Sequence, residues 1–476
     1  MARILITGAT GYIGRRLKDR LLGPDDVRIR LLVRNARKVR ETTRSRVEII
    51  EGDTFNRSAL AAATADIDVA YYLIHSMGSG KDFERLDRES AENFREACIA
   101  SGVKRIIYLG GLGVAETASA HLRSRLETGE ILSARPEAIQ TIWLRAGVII
   151  GSGSASFEII RNLVQKLPLM VTPRWVNNRT EPIAVEDVLS YLEEAASLQM
   201  EGNLIVDIGV GQMTFKDMLQ GAARVMGLKR FIAGVPVLSP RLSSYWLVLF
   251  TPVPYRIAAA LVEGLKSETV KQNINARTYF PQIVPRAYEQ AVSTALREIE
   301  EEQVISRWCD SSGGTVCDVK AHDDLATAVL SDRRSRDFQN IPPERVFESV
   351  TTIGGKTGWF TYDCLWVIRG FIDKALGGYG INRGRRDERE LRVGDALDFW
   401  KVVDIVPDKR LLLLAQMKVP GKAWLEFTFE NHTLVQTAYF YPKGVWGRLY
   451  WYVTQPLHYL VFQNLVDKIV ERAGRL

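Results

Sequence analysis

Over the first 150 residues, short apolar runs rich in β-branched side chains alternate with longer stretches whose apolar positions recur every three or four residues. The runs predict strands at Arg3–Thr7, Arg28–Val33, Val47–Glu51, Asp68–Ile74, Arg105–Leu109 and Gln140–Leu144. The stretches between them predict helices, among them Tyr12–Leu22 and Asp82–Ala100. Strands separated by helical crossovers imply a parallel sheet covered on both faces. Right-handed crossovers then give a doubly wound α/β fold. From Gly151 to about Trp308 the pattern loosens into helices with a few strands, including Leu204–Ile208 and Phe231–Val235. Pro168, Pro173, Pro182, Pro236, Pro240, Pro252 and Pro254 interrupt this stretch, and a charged helix, Ala287–Val304, ends it. It reads as a lobe of the same domain that closes over a substrate.

Residues 309–343 are polar, contain Gly313-Gly314 and Pro342-Pro343, and are assigned as a linker. The domains are therefore expected at 1–308 and 344–476. Six of the ten tryptophans fall in the second, which predicts an aromatic interior. Proline in the first turn at Pro342-Pro343 favours a short helix there. Leu411–Val419, Ala423–Glu430 and Thr433–Tyr441 read as antiparallel strands, and Trp446–Arg472 as a terminal helix. In that helix Trp446, Leu449, Tyr450, Val453, Leu457, Leu460, Val461 and Leu465 recur at helical spacing and predict its buried face. A helix lying on a membrane surface is the second reading and a transmembrane span the third. Tyr245–Leu265 is also apolar, but Pro252, Pro254 and Arg256 argue against a span.

Composition narrows the function classes. With 46% hydrophobic and 25% charged residues the chain is an ordinary globular protein. A formal charge of +7 over 476 residues gives no basic tail for nucleic acid. Arg383, Arg385, Arg386 and Arg389 are interleaved with Asp387 and Glu388 and read as a solvated face. Cys98, Cys309, Cys317 and Cys364 form no CxxC pair, and the five histidines are dispersed, so neither a disulfide framework nor a metal site is expected. A reducing, cytoplasmic compartment is the expectation, since the N-terminus enters a strand with no signal-peptide core.

The chemistry-bearing motif is Thr7-Gly8-Ala9-Thr10-Gly11-Tyr12-Ile13-Gly14, between the first strand and the first helix. Gly8 permits the tight turn, Gly11 lets backbone approach a pyrophosphate, and Gly14 allows helix–sheet packing. The residues Gly8, Ala9, Thr10, Gly11, Tyr12, Ile13 and Gly14 are thus expected to bind a dinucleotide. Twenty residues after Gly14, where NAD-binding folds place a carboxylate, stands Arg34, followed by Asn35, Arg37 and Lys38. A guanidinium there suits a 2′-phosphate, so NADP is favoured over NAD. A solvated basic loop is the alternative. Asp53 ends the third strand, where with Thr54 it would meet adenine or simply cap a turn.

The glycine spacing, Gly52-Asp53 and Leu144-Arg145-Ala146-Gly147 resemble the extended and atypical short-chain dehydrogenase/reductases. The chain is most similar to NmrA-like, epimerase-like proteins that carry a C-terminal domain of unknown function. That resemblance implies a Rossmann fold and a nicotinamide dinucleotide, with Gly110 beside the cofactor. Active members of the family use Tyr-x-x-x-Lys on the helix after strand five, and this chain departs from that pattern. Residues 111–135 hold neither tyrosine nor lysine, and the corresponding pair is His121 and Arg125. His121 would relay a proton, Arg125 would hold the ribose, and Ser124 would offer a hydroxyl. His75, after strand four, is a second proton donor at the sheet's carboxyl edge. The opposite reading is a site that binds cofactor without turnover.

Gly151-Ser152-Gly153-Ser154 lacks the glycine of a nucleophile elbow and reads as a flexible loop opening a helix at Ala155. The second domain resembles the α+β helix-grip fold of START-like proteins. Trp359, Phe360, Trp366, Trp400, Trp424 and Phe427 would line its cavity or form plain core. Two functions follow: an NADP-dependent oxidoreductase or isomerase for an apolar, carbonyl-bearing molecule held between lobe and second domain, or a non-catalytic NADP-binding sensor or assembly factor.

Overall fold

Seven strands and the helices between them place the glycine motif at the centre of one sheet. The computed structural model describes the chain except residues 1, 24–26, 37, 38, 40–42, 44, 45, 76–81, 235–261, 265, 266, 302–329, 376–379, 381–384, 386, 388, 389, 431, 443 and 476. Arg37, Lys38, most of Tyr245–Leu265, residues 309–329, Arg383, Arg386 and Arg389 therefore lie outside the described residues. Contacts divide the chain into two units, Met1–Thr251 with Tyr255–Gly313, and Pro252–Pro254 with Gly314–Leu476.

In the first unit β1 (Ala2–Thr7), α1 (Tyr12–Leu21), β2 (Val27–Val33) and β3 (Glu48–Glu51) are followed by α2 (Arg57–Thr64) and β4 (Val69–Tyr72). Next come α3 (Phe83–Ala100), β5 (Arg105–Gly111), α4 (Ala120–Leu132) and β6 (Gln140–Ala146). Then come α5 (Ala155–Lys166), α6 (Val185–Ala195), β7 (Leu204–Ile208), α7 (Phe215–Val225) and α8 (Tyr288–Glu300), with short strands and helices between them. The strand order is β7-β6-β5-β4-β1-β2-β3, all parallel. Alternate residues of each strand feed two cores. Ile4, Ile6, Tyr71, Ile107 and Leu109 pack with Leu17 and Leu21 of α1 and with α6. Leu5, Ala70, Tyr72, Ile106 and Tyr108 pack with α2, α3 and α4 on the other face. Burying each such side chain stabilises the fold by about 1.5–3 kcal/mol. The doubly wound sheet expected from the strand pattern is the one found, and its order reverses between β1 and β4.

The second unit is mostly antiparallel sheet. It runs β8 (Leu330–Asp337), α9 (Pro343–Thr351), α10 (Asp363–Ala375), β9 (Ala396–Leu397), β10 (Trp400–Val406), β11 (Arg410–Ala415), β12 (Gly421–Glu430), β13 (Thr433–Pro442) and α11 (Gly444–Ala473). The sheet order is β8-β13-β12-β11-β10-β9. Residues 330–337, assigned to the linker, are its edge strand, antiparallel to β13. Their alternating charges hid them, because an edge strand half open to water needs few apolar residues. Trp359, Trp366, Trp400 and Phe427 are buried core, while Trp424 packs on the opposite face with Leu412 and Leu414. Arg385 is not solvated. It is 6% exposed and donates to the carbonyls of Thr351 and Ile353 at 2.6 and 2.8 Å.

Helix α11 departs most from expectation. Val461, Phe462, Leu465, Val466 and Ile469 enter the core, but Trp446, Leu449, Val453, Leu457 and Leu460 face solvent. Of the positions read as its buried face only Val461 and Leu465 are covered, and Tyr450 is half-buried. Among the described residues no helix is long and apolar enough to cross a membrane.

Candidate active site and dinucleotide loop

Gly8 adopts φ +68°, a left-handed conformation that costs an L side chain roughly 1–2 kcal/mol. A Cβ on Gly8 would lie 2.4 Å from the Leu73 carbonyl oxygen, and one on Gly14 would lie 2.3 Å from that of Gly8. The loop therefore packs backbone against backbone. Gly11 N-caps α1 without a capping side chain, and no acidic residue enters the first turn. The N–H groups of that turn and the positive end of the helix dipole suit an anion, and the loop fits a dinucleotide pyrophosphate. Ala9 is buried, the Thr10 carbonyl accepts from Arg15 Nε at 3.0 Å, and Ile13 packs against the core. The Tyr12 hydroxyl donates to the Ser152 carbonyl at 3.2 Å, and burial pushes the phenol's pKa up.

Ser152 is fully buried and accepts from Arg16 at 2.7 Å, while Arg16 also pairs with Glu186 and Glu298. The loop read as flexible is thus pinned from α1, α6 and α8. Ser154 caps α5 by accepting from the Phe157 N–H at 3.2 Å.

The other residues expected at the cofactor have mixed placements. Arg34 directly follows β2 and is exposed, at the same sheet edge as the glycine loop. Asp53 accepts the N–H groups of Phe55 and Asn56 at 2.9 and 3.1 Å, so one oxygen caps its own turn. Thr54 is buried, its hydroxyl 2.7 Å from Ser90. It faces the core. Gly110 is glycine because a Cβ there would lie 2.4 Å from the Trp143 indole nitrogen.

His75, His121, Ser124 and Arg125 come together, and the residue that joins two of them, His75 and Ser124, is one that sequence reasoning missed. Asp87, on α3, is 3% exposed. It accepts the Ser124 hydroxyl at 2.9 Å and lies 3.2 Å from His75 Nδ1. Donation from Nδ1–H to Asp87 fixes the tautomer and leaves Nε2 as the basic nitrogen. Ser124 is therefore committed to Asp87 and acts by orienting it. The His121 ring stands edge-on to His75 at 6.3 Å between centroids and stacks on Phe83 at 4.4 Å. Among the described residues its Nδ1 is buried without a hydrogen-bond partner. Burial lowers the pKa of both histidines, and Asp87 partly offsets this at His75. Arg125 donates to the Leu109 carbonyl at 3.2 Å, at the end of β5. One signal pointed to Asp87: it shares the buried face of α3 with Ser90, Ala91, Phe94 and Cys98. A carboxylate on an apolar stripe needs a partner.

Residues 8–143 match the NAD(P)H-binding family. The first unit is an NAD(P)-binding Rossmann domain. Residues 325–465 match a protein family of unknown function, DUF2867. No curated protein matches the chain. Among solved structures, triphenylmethane reductase from Citrobacter sp. is 22% identical with a TM-score of 0.51, covering 62% of this chain and 99% of that one. Its complex with NADP(H) superposes with a TM-score of 0.50, 22% identity and coverage of 61% and 99%. UDP-glucose 4-epimerase from Thermotoga maritima is 14% identical with a TM-score of 0.49, covering 63% and 99%. The reductase likeness shows the same fold.

Proposed function

We propose that the chain is an NADP(H)-dependent oxidoreductase acting on an apolar, carbonyl-bearing small molecule. The observation that carries this reading is the Ser124–Asp87–His75 chain beside His121, with His75 three residues after β4 at the reversal in strand order that the glycine loop also borders. Open α/β sheets bind ligands at that reversal. The cofactor, when bound, supplies or takes the hydride. The chain's own residues manage the proton. His121, whose inner nitrogen is unpaired, delivers it to the substrate oxygen during reduction. His75, held by Asp87, passes a replacement from solvent. The carbonyl carbon gains the hydride and its oxygen the proton, which balances carbonyl against alcohol.

The antiparallel sheet and long α11 of the second unit resemble a helix-grip fold whose tryptophans pack as core. The missing Tyr-x-x-x-Lys favours a second reading, a non-catalytic NADP sensor. Screening apolar aldehydes, ketones and quinones for NADPH oxidation separates the two. Removing a general acid–base group costs ~10²–10⁴-fold. His121→Ala should therefore depress turnover by that factor and leave NADPH binding intact. Full activity in that variant overturns the assignment, and tight NADPH binding with no substrate found favours the sensor.

Arg34 motivates the NADP preference. Arg34→Ala should weaken NADPH binding by ~1.5–3 kcal/mol, the worth of a charge-assisted hydrogen bond, with NADH unaffected. Titration calorimetry measures both, and equal losses for the two cofactors would remove the argument.

A further inference from the structure

The second unit leaves two apolar helix faces in water. On α11, Trp446 is 76% exposed and Val453 67%, and with Leu449, Leu457 and Leu460 they form one stripe at steps of three and four residues. Tyr452 and Tyr459 flank it and are also exposed. On α10, Val367, Ile368, Phe371 and Ile372 form a second exposed stripe. Both helices are anchored on the loop between β11 and β12. Arg369 donates to the Lys418 carbonyl at 3.1 Å, and Asp373 accepts the Lys418 N–H at 2.5 Å. At the start of α11, a Cβ on Gly447 would lie 2.4 Å from the Pro420 carbonyl. Exposed apolar patches rimmed by polar residues mark interaction sites.

The exposed charges beside the α11 stripe are basic, and the exposed Asp363 that opens α10 is engaged in accepting the Trp359 N–H at 2.9 Å. Between Trp446 and Val466 the only charged side chain is Arg448, which is exposed. Lys418, on the anchoring loop, and Lys422, at the start of β12, are exposed as well. The acidic Asp373 of α10 is fully buried, its carboxylate turned onto backbone N–H groups. An apolar face with tryptophan and tyrosine among its exposed residues and lysine and arginine around it complements an anionic bilayer. The aromatic rings suit the headgroup level, and the cations suit lipid phosphates. The α11 stripe, 446–460, is about 21 Å long at 1.5 Å per residue, which suits a helix lying in the interface plane.

We propose that α10 and the N-terminal half of α11 form a membrane-docking face for anionic phospholipid. The face seats the second unit on the bilayer surface without spanning it. This docking stands apart from the redox reading of the first unit.

The test is co-sedimentation of the full chain with vesicles of phosphatidylcholine, alone or mixed with phosphatidylglycerol. Binding is expected to the mixed vesicles, weaker to phosphatidylcholine alone and weakened by added salt. Val453→Glu with Leu457→Glu should lower the bound fraction about tenfold or more, because two buried apolar side chains are lost from the interface. Val284→Glu, a similarly exposed apolar site in the first unit, should change nothing. Should the double variant fold poorly by circular dichroism, charge reversal at Lys418, Lys422 and Arg448 should weaken binding to mixed vesicles alone. No binding to either vesicle overturns the proposal, as does full binding by the folded double variant. So does a self-association, seen by sedimentation velocity without lipid, that the double variant abolishes while vesicles bind nothing.

Discussion

Asp87→Asn should cut turnover by ~10²–10⁴-fold, the range for a lost acid–base group, while leaving NADPH affinity unchanged. The carboxylate positions His75 and takes the Ser124 hydroxyl, at 3.2 and 2.9 Å. Asparagine keeps the shape but can present its amide nitrogen to His75 Nδ1, which would reverse the tautomer and turn the basic nitrogen inward. The pH profile distinguishes this from simple structural damage. Burial holds the His75 pKa below the ordinary 6.5, and the Asp87 hydrogen bond raises it. In the alcohol-oxidising direction, where neutral histidine is the active base, the acid limb of kcat/KM should fall below pH 6.5. Removing the Asp87 charge removes a raising influence, so residual activity in Asp87→Asn should show that limb at still lower pH. A limb that stays in place, or full turnover, shows that Asp87 does not act through His75.

The second large effect is on stability. Arg145→Met should destabilise the first unit by ~3–5 kcal/mol, the cost of leaving a buried partner charge uncompensated. Arg145 forks onto Asp207 across neighbouring strands, with Nε and one terminal nitrogen at 2.6 and 3.0 Å from the two carboxylate oxygens. Asp207 is fully buried and also accepts the Gln272 N–H at 2.6 Å. Chemical denaturation monitored by tryptophan fluorescence measures the loss. Adding Asp207→Leu should restore part of it, because replacing both charges of a buried pair by apolar groups is often near neutral. If the single variant is as stable as the parent, the pair contributes nothing to the fold.

Both predictions rest on pairings that no local pattern announces. The nucleotide loop was legible because its requirements are local: a left-handed turn at Gly8 and a close helix approach at Gly14 can be met only by glycine. The parallel sheet was legible for a similar reason, since apolar strands and helical crossovers carry their own periodicities. The apolar positions of α11 could be read from their spacing, but spacing does not say which of them are covered. The sequence by itself therefore determined a dinucleotide-binding doubly wound domain with Arg34 after its second strand and His121 and Arg125 on the helix after its fifth. Only the tertiary structure decided that β8 is an edge strand, that Ser152 and Arg385 are buried, and that Thr54 faces the core. It alone brought Asp87 of α3 to His75 after β4 and Ser124 of α4. Those residues are 12 and 37 positions apart from Asp87, and their meeting depends on how two helices pack on one face of the sheet.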